Sequence, residues 1–102
     1  MKILHIINTL SAGGAELHLL TLSRNLRARG FELVVACLRE KVAGSRSLRK
    51  DFEAEGIKVI NFEGHDRLDK AFLLRTFITL RQERPDVLHT HLPRADFAWL
   101  VS

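Results

Sequence analysis

Short apolar runs alternate along this chain with segments whose apolar residues recur at helical spacing. The four runs have the composition of buried strands and cover residues 2–7, 31–38, 57–62 and 86–91. Helices are predicted between and after them, at residues 15–29, about 48–55, 70–83 and 94–101. Because strands that alternate with helices form a parallel sheet covered on both faces, we expect an α/β fold. Its sheet should be Rossmann-like, with four strands in the order 3-2-1-4.

The third and fourth predicted helices carry further signals about burial and domain boundaries. Leu73, Phe77 and Leu80 lie at helical spacing and are expected on the buried face of the third helix. Pro93 suits the first turn of the fourth helix. Since a domain of this type normally continues past its fourth strand, we expect residues 1–102 to be a truncated part of one domain. The fourth strand would then be an unprotected edge of the sheet.

Composition and charge limit the class of protein. A chain of 102 residues with 46% hydrophobic and 27% charged residues forms one globular domain at most. Cys37 is the sole cysteine, which excludes a disulfide framework and favours a reducing, cytoplasmic location. No apolar run is long enough to span a membrane, so the protein should be soluble or at most peripheral. The net charge of +4 is too small to indicate a nucleic-acid partner, although it is compatible with anionic substrates.

The turn TLSAGGAE, residues 9–16, connects the first strand to the first helix. In the expected sheet the first strand lies where the strand order reverses, and open parallel sheets bind ligands at that rim. Gly13 and Gly14 would leave the amides of the helix N-terminus open to a phosphate group. A tight turn that binds no ligand explains the two glycines equally well. Glu16 either contacts substrate hydroxyls or only complements the helix dipole.

Two familiar nucleotide-binding loops match this turn poorly. The dinucleotide fingerprint G-x-G-x-x-G is not met, because the glycines are adjacent and no third one follows. Glu40, close after the second strand, is a poor candidate for a ribose-binding acid, and the G-K-[ST] of a P-loop is missing from the sequence. A stand-alone Rossmann-type nucleotide- or phosphate-binding module stays as one alternative function. A non-catalytic interaction domain, using the sheet edge and the FAWLVS segment, is another.

Three histidines are expected to lie close together. His89 and His91 share one face of the fourth strand, and His5 would be near them if that strand neighbours the first. Such a set resembles a zinc site, but no carboxylate or cysteine is placed to complete it. We therefore expect no metal and no other cofactor, with His5 in a structural role. His91, at the end of the strand, is the histidine expected to have a function.

Three short motifs together resemble a known enzyme family. They are GGAE at residues 13–16, RGFEL at residues 29–33 and PDVLHTH at residues 85–91. Their order and spacing resemble the N-terminal domain of GT-B glycosyltransferases of family 4, and the resemblance spans essentially the whole chain. One departure is Phe31, which precedes Glu32 where the family usually has histidine.

The resemblance implies a retaining, metal-independent transferase that moves a sugar from a nucleotide-sugar donor to a glycan or lipid-linked acceptor in surface-polysaccharide or glycolipid assembly. It implies that Gly13 and Gly14 lie near the donor diphosphate, and that Glu16, His91 and Arg94 are candidate substrate or acceptor contacts. It identifies no catalytic residue within this chain. The donor-binding C-terminal domain lies outside residues 1–102, so these residues alone are expected to be inactive.

A membrane contact is also implied for family members that use lipid-linked acceptors. The basic residues that would form such a surface on the inner face of the membrane are Arg24, Arg27, Arg29, Arg39, Lys41, Arg46, Arg49 and Lys50. An ordinary solvated surface is the favoured interpretation of these charges.

Overall fold

In a computed structural model of the chain, the described residues are 1–41, 43–62, 70–92 and 95–100. They form five strands and three helices. In chain order these are β1 (Lys2–Ile7), α1 (Gly14–Ala28), β2 (Glu32–Cys37), α2 (Arg49–Ala54), β3 (Lys58–Asn61), α3 (Lys70–Glu83), β4 (Val87–Leu92) and β5 (Ala95–Leu100).

The predicted order of the four parallel strands is confirmed. The sheet runs β3-β2-β1-β4-β5, and every pairing among the first four strands is parallel. β1 therefore lies between β2 and β4, with Ile7 opposite Cys37 on one side and opposite His91 on the other. The strands β1 and β2 are apolar on both sides because helices cover both faces of the sheet.

The helix predicted over residues 94–101 is wrong for the part that the structure describes. Ala95–Leu100 is β5, which pairs antiparallel with β4 from Leu92 back to Val87. A six-residue run rich in aromatic residues is as compatible with a strand as with a helix, so spacing alone could not decide. Because β5 lies along β4, the expectation that the fourth strand is an unprotected edge is also wrong. Arg94 itself lies outside the described residues.

Two hydrophobic clusters fill the two faces of the sheet. The first joins residues of α1 and α2, such as Leu19 and Phe52, to the side of β1 that carries Ile3 and Ile7. The second lies on the opposite side, against Leu4 and Ile6, and includes partly buried residues of α3. His5 alternates with Leu4 and Ile6, which places it on the α1 and α2 face of the sheet.

The buried face predicted for α3 is wrong at two of its three positions. The side chains of Leu73 and Phe77 are 64% and 56% exposed, whereas Phe72 and Leu80 pack against the second cluster. Thr79, on the same side, is buried. Apolar residues occur around much of this helix, so the sequence allows more than one buried face. The face that contacts the sheet is the one from which Phe72 and Leu80 project.

Candidate functional site

The glycine turn lies at the rim where ligands of open parallel sheets bind. β1 ends at Ile7, and α1 begins at Gly14. Since β1 lies between β2 and β4, the turn follows the strand at which the strand order reverses. His91 lies opposite Ile7 near the carboxyl end of β4, which places it on the same rim as the turn.

The first three backbone N–H groups of α1 have no carbonyl acceptor within the helix. Gly13 is the N-cap residue in an extended conformation, and no side chain caps the helix. Among the described residues, the first hydrogen bond of the helix runs from the amide of Leu17 to the carbonyl of Gly13, at 2.9 Å. The amides of Gly14, Ala15 and Glu16 precede it and so lie at the positive end of the helix dipole. Gly14 and Ala15 are exposed, and a Cβ added at Gly14 would meet no atom within 4 Å.

The earlier part of the turn is held in place by the loop that follows β2. The amide of Leu10 donates to the carbonyl of Glu40 at 2.9 Å, and the amide of Ala12 donates to the carbonyl of Arg46 at 2.7 Å. In return, the carbonyl of Leu10 accepts from the amide of Leu48 at 2.8 Å. These amides are thus used inside the protein, and the open amides of the turn are those at the start of the helix.

Glu16 folds back over the start of its own helix. Its Oε2 accepts a hydrogen bond from Thr9 Oγ1 at 3.2 Å, and a Cβ added at Gly13 would lie 3.0 Å from its Oε1. The carboxylate therefore braces the turn and lies near the helix N-terminus, where its charge is favourable. Thr9 was missed by the sequence reasoning, because seven residues separate it from Glu16 and no capping-box spacing connects them. A contact between Glu16 and substrate stays a prediction.

The structure brings His5, His89 and His91 together, as the sequence predicted. Nδ1 of His5 lies 3.1 Å from Nε2 of His91. The ring centroid of His5 lies 5.4 Å from that of His89 and 5.1 Å from that of His91. The centroids of His89 and His91 are 3.8 Å apart. His5 is buried, while His89 and His91 are half-buried.

Burial sets the charge state of His5. Desolvation by burial, together with the neighbouring His91 and His89, lowers the pKa of His5 to about 3. The ring is therefore neutral at ordinary pH. Its Nε2 is buried and has no hydrogen-bond partner among the described residues. A buried ring nitrogen without a partner is costly, and so it calls for a physical explanation.

Several candidate membrane-facing basic residues are bonded to acids or to backbone. Arg24 pairs with Glu55 at 2.9 Å, and Arg49 pairs with Glu40 at 3.2 Å. The latter contact engages Glu40, the poor candidate for a ribose-binding acid, in an ion pair. Further bonds of this kind join Arg46 to Asp51 and Arg27 to the carbonyl of Glu55. These contacts favour the interpretation of the basic residues as an ordinary solvated surface.

No helix within the described part of the chain combines the length and the apolar character that crossing a membrane requires.

No curated protein and no solved structure gives a significant match to the chain. The model of one protein family, described as Glycosyltransferase Family 4, matches residues 12–102. That match includes both glycines of the turn, the helix that follows them and the histidine strand β4, and it covers far more than half of the sequence. On this basis the chain belongs to Glycosyltransferase Family 4.

Proposed function

We propose that this chain is the acceptor-side domain of a retaining transferase that moves a sugar from a nucleotide-sugar donor to a glycan or lipid-linked acceptor. Membership of the family implies glycosyl transfer in general, with a sugar donor and an acceptor as substrates. The proposal adds the type of donor, the stereochemical outcome and the division of labour, in which a second domain holds the donor nucleotide. It also includes a cytoplasmic location, with the acceptor reached at the inner face of the membrane when it is lipid-linked.

The observation that carries the proposal is the set of open amides at the start of α1, on the ligand-binding rim of the sheet. When the bond between the anomeric carbon and the donor phosphate breaks, negative charge develops on the phosphate oxygens. Amides and a helix dipole that already point at this position stabilise the charge without reorganising. Gly14 suits the role because the space beside its Cα is open to the donor, whereas at Gly13 the Glu16 carboxylate borders that space and would have to turn away.

On the acceptor side, the proposal assigns contacts to His91, Arg94 and Glu16. His91 lies on the same rim as the glycine turn, and its Nε2 lies 3.1 Å from His5, which fixes the orientation of the ring. Arg94 follows β4 in the sequence, and a guanidinium suits the phosphate of a lipid-linked acceptor. The Glu16 carboxylate, which bonds Thr9 in this structure, would turn towards substrate hydroxyls.

The amide of Gly14 allows a sharp test of the proposed phosphate contact. Gly14→Pro removes that amide at the first position of the helix, where proline is well tolerated, and the extended Gly13 before it is compatible with a following proline. Gly14→Ala keeps the amide, and its Cβ has open space. In the transferase that carries this chain, we expect Gly14→Pro to lower kcat by about 100-fold, as loss of one such donor does elsewhere.

The alanine variant is the matched control and should transfer sugar at close to the parent's rate. Circular dichroism of both variants checks that α1 is intact. Equal activity of the two variants, or equal loss in both, would contradict the role of the amide. Saturable binding of a dinucleotide by residues 1–102 alone would instead favour a stand-alone nucleotide-binding module, since the proposed donor site needs a second domain.

A further inference from the structure

The three histidines on the α1 and α2 face of the sheet form a cluster whose chemistry the proposed transfer reaction does not use in full. We propose that His5, His89 and His91 bind a divalent late first-row metal ion, Zn²⁺ foremost. This inference replaces the expectation, made from the sequence, that these side chains hold no metal. The ion is not assigned to the transfer step, and in the metal-bound form the His91 ring would hold the ion instead of contacting the acceptor directly.

The backbone of two neighbouring strands fixes the arrangement. β1 and β4 are parallel, and their register places His5 directly opposite His89. His91 follows two residues later and therefore lies on the same face of β4 as His89. Three imidazoles thus project from two rigid, hydrogen-bonded strands, which is a more precise support for ligands than a loop would be.

The distances between the ring nitrogens are close to those that a metal ion needs. Zn–N bonds of 2.0–2.1 Å place two ligand nitrogens of a tetrahedral site about 3.3 Å apart. Nδ1 of His5 and Nε2 of His91 are already 3.1 Å apart. One ligand atom from each of the three histidines can be chosen so that all lie within 4.8 Å of one another. Small rotations of side chains, without movement of the strands, would complete the set.

The packing of the three rings also points to a ligand. Their centroids lie within 5.4 Å of one another. A metal ion that takes a lone pair from Nδ1 of His5 and from one nitrogen of each of the other two rings would hold them in this arrangement. Nε2 of His5 would then carry the N–H of the ring.

The nature of the ligands selects the kind of ion. Imidazole nitrogen suits Zn²⁺, Cu²⁺ and Ni²⁺, whereas Mg²⁺ and Ca²⁺ prefer oxygen ligands. Three protein ligands leave a fourth position for water or another small ligand, as in open zinc sites. Because His89 and His91 are half-buried, the ion can reach the site from solvent. The bound ion would tie β1 to β4 and should raise the thermal stability of the folded chain.

The test is titration of the metal-free chain with Zn²⁺ by calorimetry and with Co²⁺ by visible absorption, whose d–d bands report nitrogen ligation. His89→Gln and His91→Gln each remove one ligand at a half-buried position, which limits the risk to folding. His18→Gln is the matched control, because His18 is exposed on α1 and is no member of the cluster.

We expect saturable one-to-one binding by the parent and by His18→Gln, with a rise in Tm when Zn²⁺ is added. Each cluster variant should bind at least about 100-fold more weakly, since loss of a mere supporting residue already costs about 10–100-fold. Their Tm should not respond to Zn²⁺ at concentrations that saturate the parent. A parent that does not bind saturably, or cluster variants that bind as tightly as His18→Gln, would overturn the proposal.

Discussion

Gly56 turns the chain between α2 and β3 in a backbone conformation that side chains rarely adopt. Its φ is 78°, and a Cβ at this position would collide with the guanidinium of Arg27. That guanidinium is held in place, because Nε of Arg27 donates to the carbonyl of Glu55 at 2.6 Å. Two independent effects therefore oppose a side chain at this residue. An added methyl group must both strain the backbone and displace a bonded side chain.

We expect Gly56→Ala to lower the free energy of unfolding by about 1–3 kcal/mol, because alanine at positive φ is strained and Arg27 must move. Urea denaturation measures the change. Gly14→Ala is the control, since its added Cβ meets no atom within 4 Å and its φ is not positive. If both variants lower the free energy of unfolding equally, the strain at residue 56 and the contact with Arg27 do not contribute to stability.

Single residues differ in how far their environment follows from the sequence. The proximity of His5 to His89 and His91 was predictable, because it needs only strand alternation and the order of two strands. The bond between Glu16 and Thr9 was not, since it depends on the path of a loop that no repeating pattern describes. The orphaned Nε2 of His5 was equally beyond prediction, because it depends on side-chain rotation within the cluster.

At the scale of elements, α3 shows where hydrophobic spacing stops being informative. Its sequence offers apolar residues on more than one side, and the side that packs on the sheet carries Phe72 and Leu80. Leu73, two turns before Leu80 on nearly the same side of the helix, is nevertheless 64% exposed. β5 has the same kind of ambiguity, because six residues of which five are apolar or aromatic fit either a short helix or a strand. In both cases tertiary packing makes a choice that local spacing leaves open.

A matched pair of leucine variants compares a packed position of α3 with an exposed one. Leu80→Ala should lower the free energy of unfolding by about 1–2 kcal/mol, towards the low end for leucine truncation because Leu80 is half-buried. Leu73→Ala should change it by less than about 0.5 kcal/mol, since the side chain is already exposed to water. Both changes have the same effect on helix propensity, so that term cancels between them. A loss for Leu73→Ala as large as that for Leu80→Ala would show that Leu73 is also buried, as the sequence predicted.

At the scale of the whole molecule, the order of the four parallel strands was predictable because alternating strands and helices allow few arrangements of a parallel sheet. What fastens α3 to that sheet was not predictable. Glu83, at the end of the helix, accepts hydrogen bonds from Lys2 Nζ at 3.0 Å and from Lys58 Nζ at 2.7 Å. It thereby joins β1 and β3 to α3 across 81 and 25 residues of chain. No local pattern in the sequence predicts such a long-range contact.

Glu83 makes the stability of the whole chain depend on pH. The hydrogen bond from Lys58, with that from Lys2, holds the pKa of the Glu83 carboxyl below its usual range. Because the folded pKa is depressed, this carboxylate contributes stability that is fully present above about pH 4.5 and is lost as the pH falls through its folded pKa. The side chain is only 8% exposed, so solvent screens the contacts weakly.

Glu83→Gln should therefore cost about 1–2 kcal/mol at neutral pH, in the range of a charge-assisted hydrogen bond, and progressively less in acid. Denaturant unfolding of parent and variant across this range measures the difference directly. Glu53→Gln makes the same change of charge in a more exposed pair with Arg49, at 3.5 Å, and should cost less than about 0.5 kcal/mol. A Glu83→Gln deficit that stays constant down to acid pH would show that packing, and not the charge of Glu83, joins α3 to the sheet.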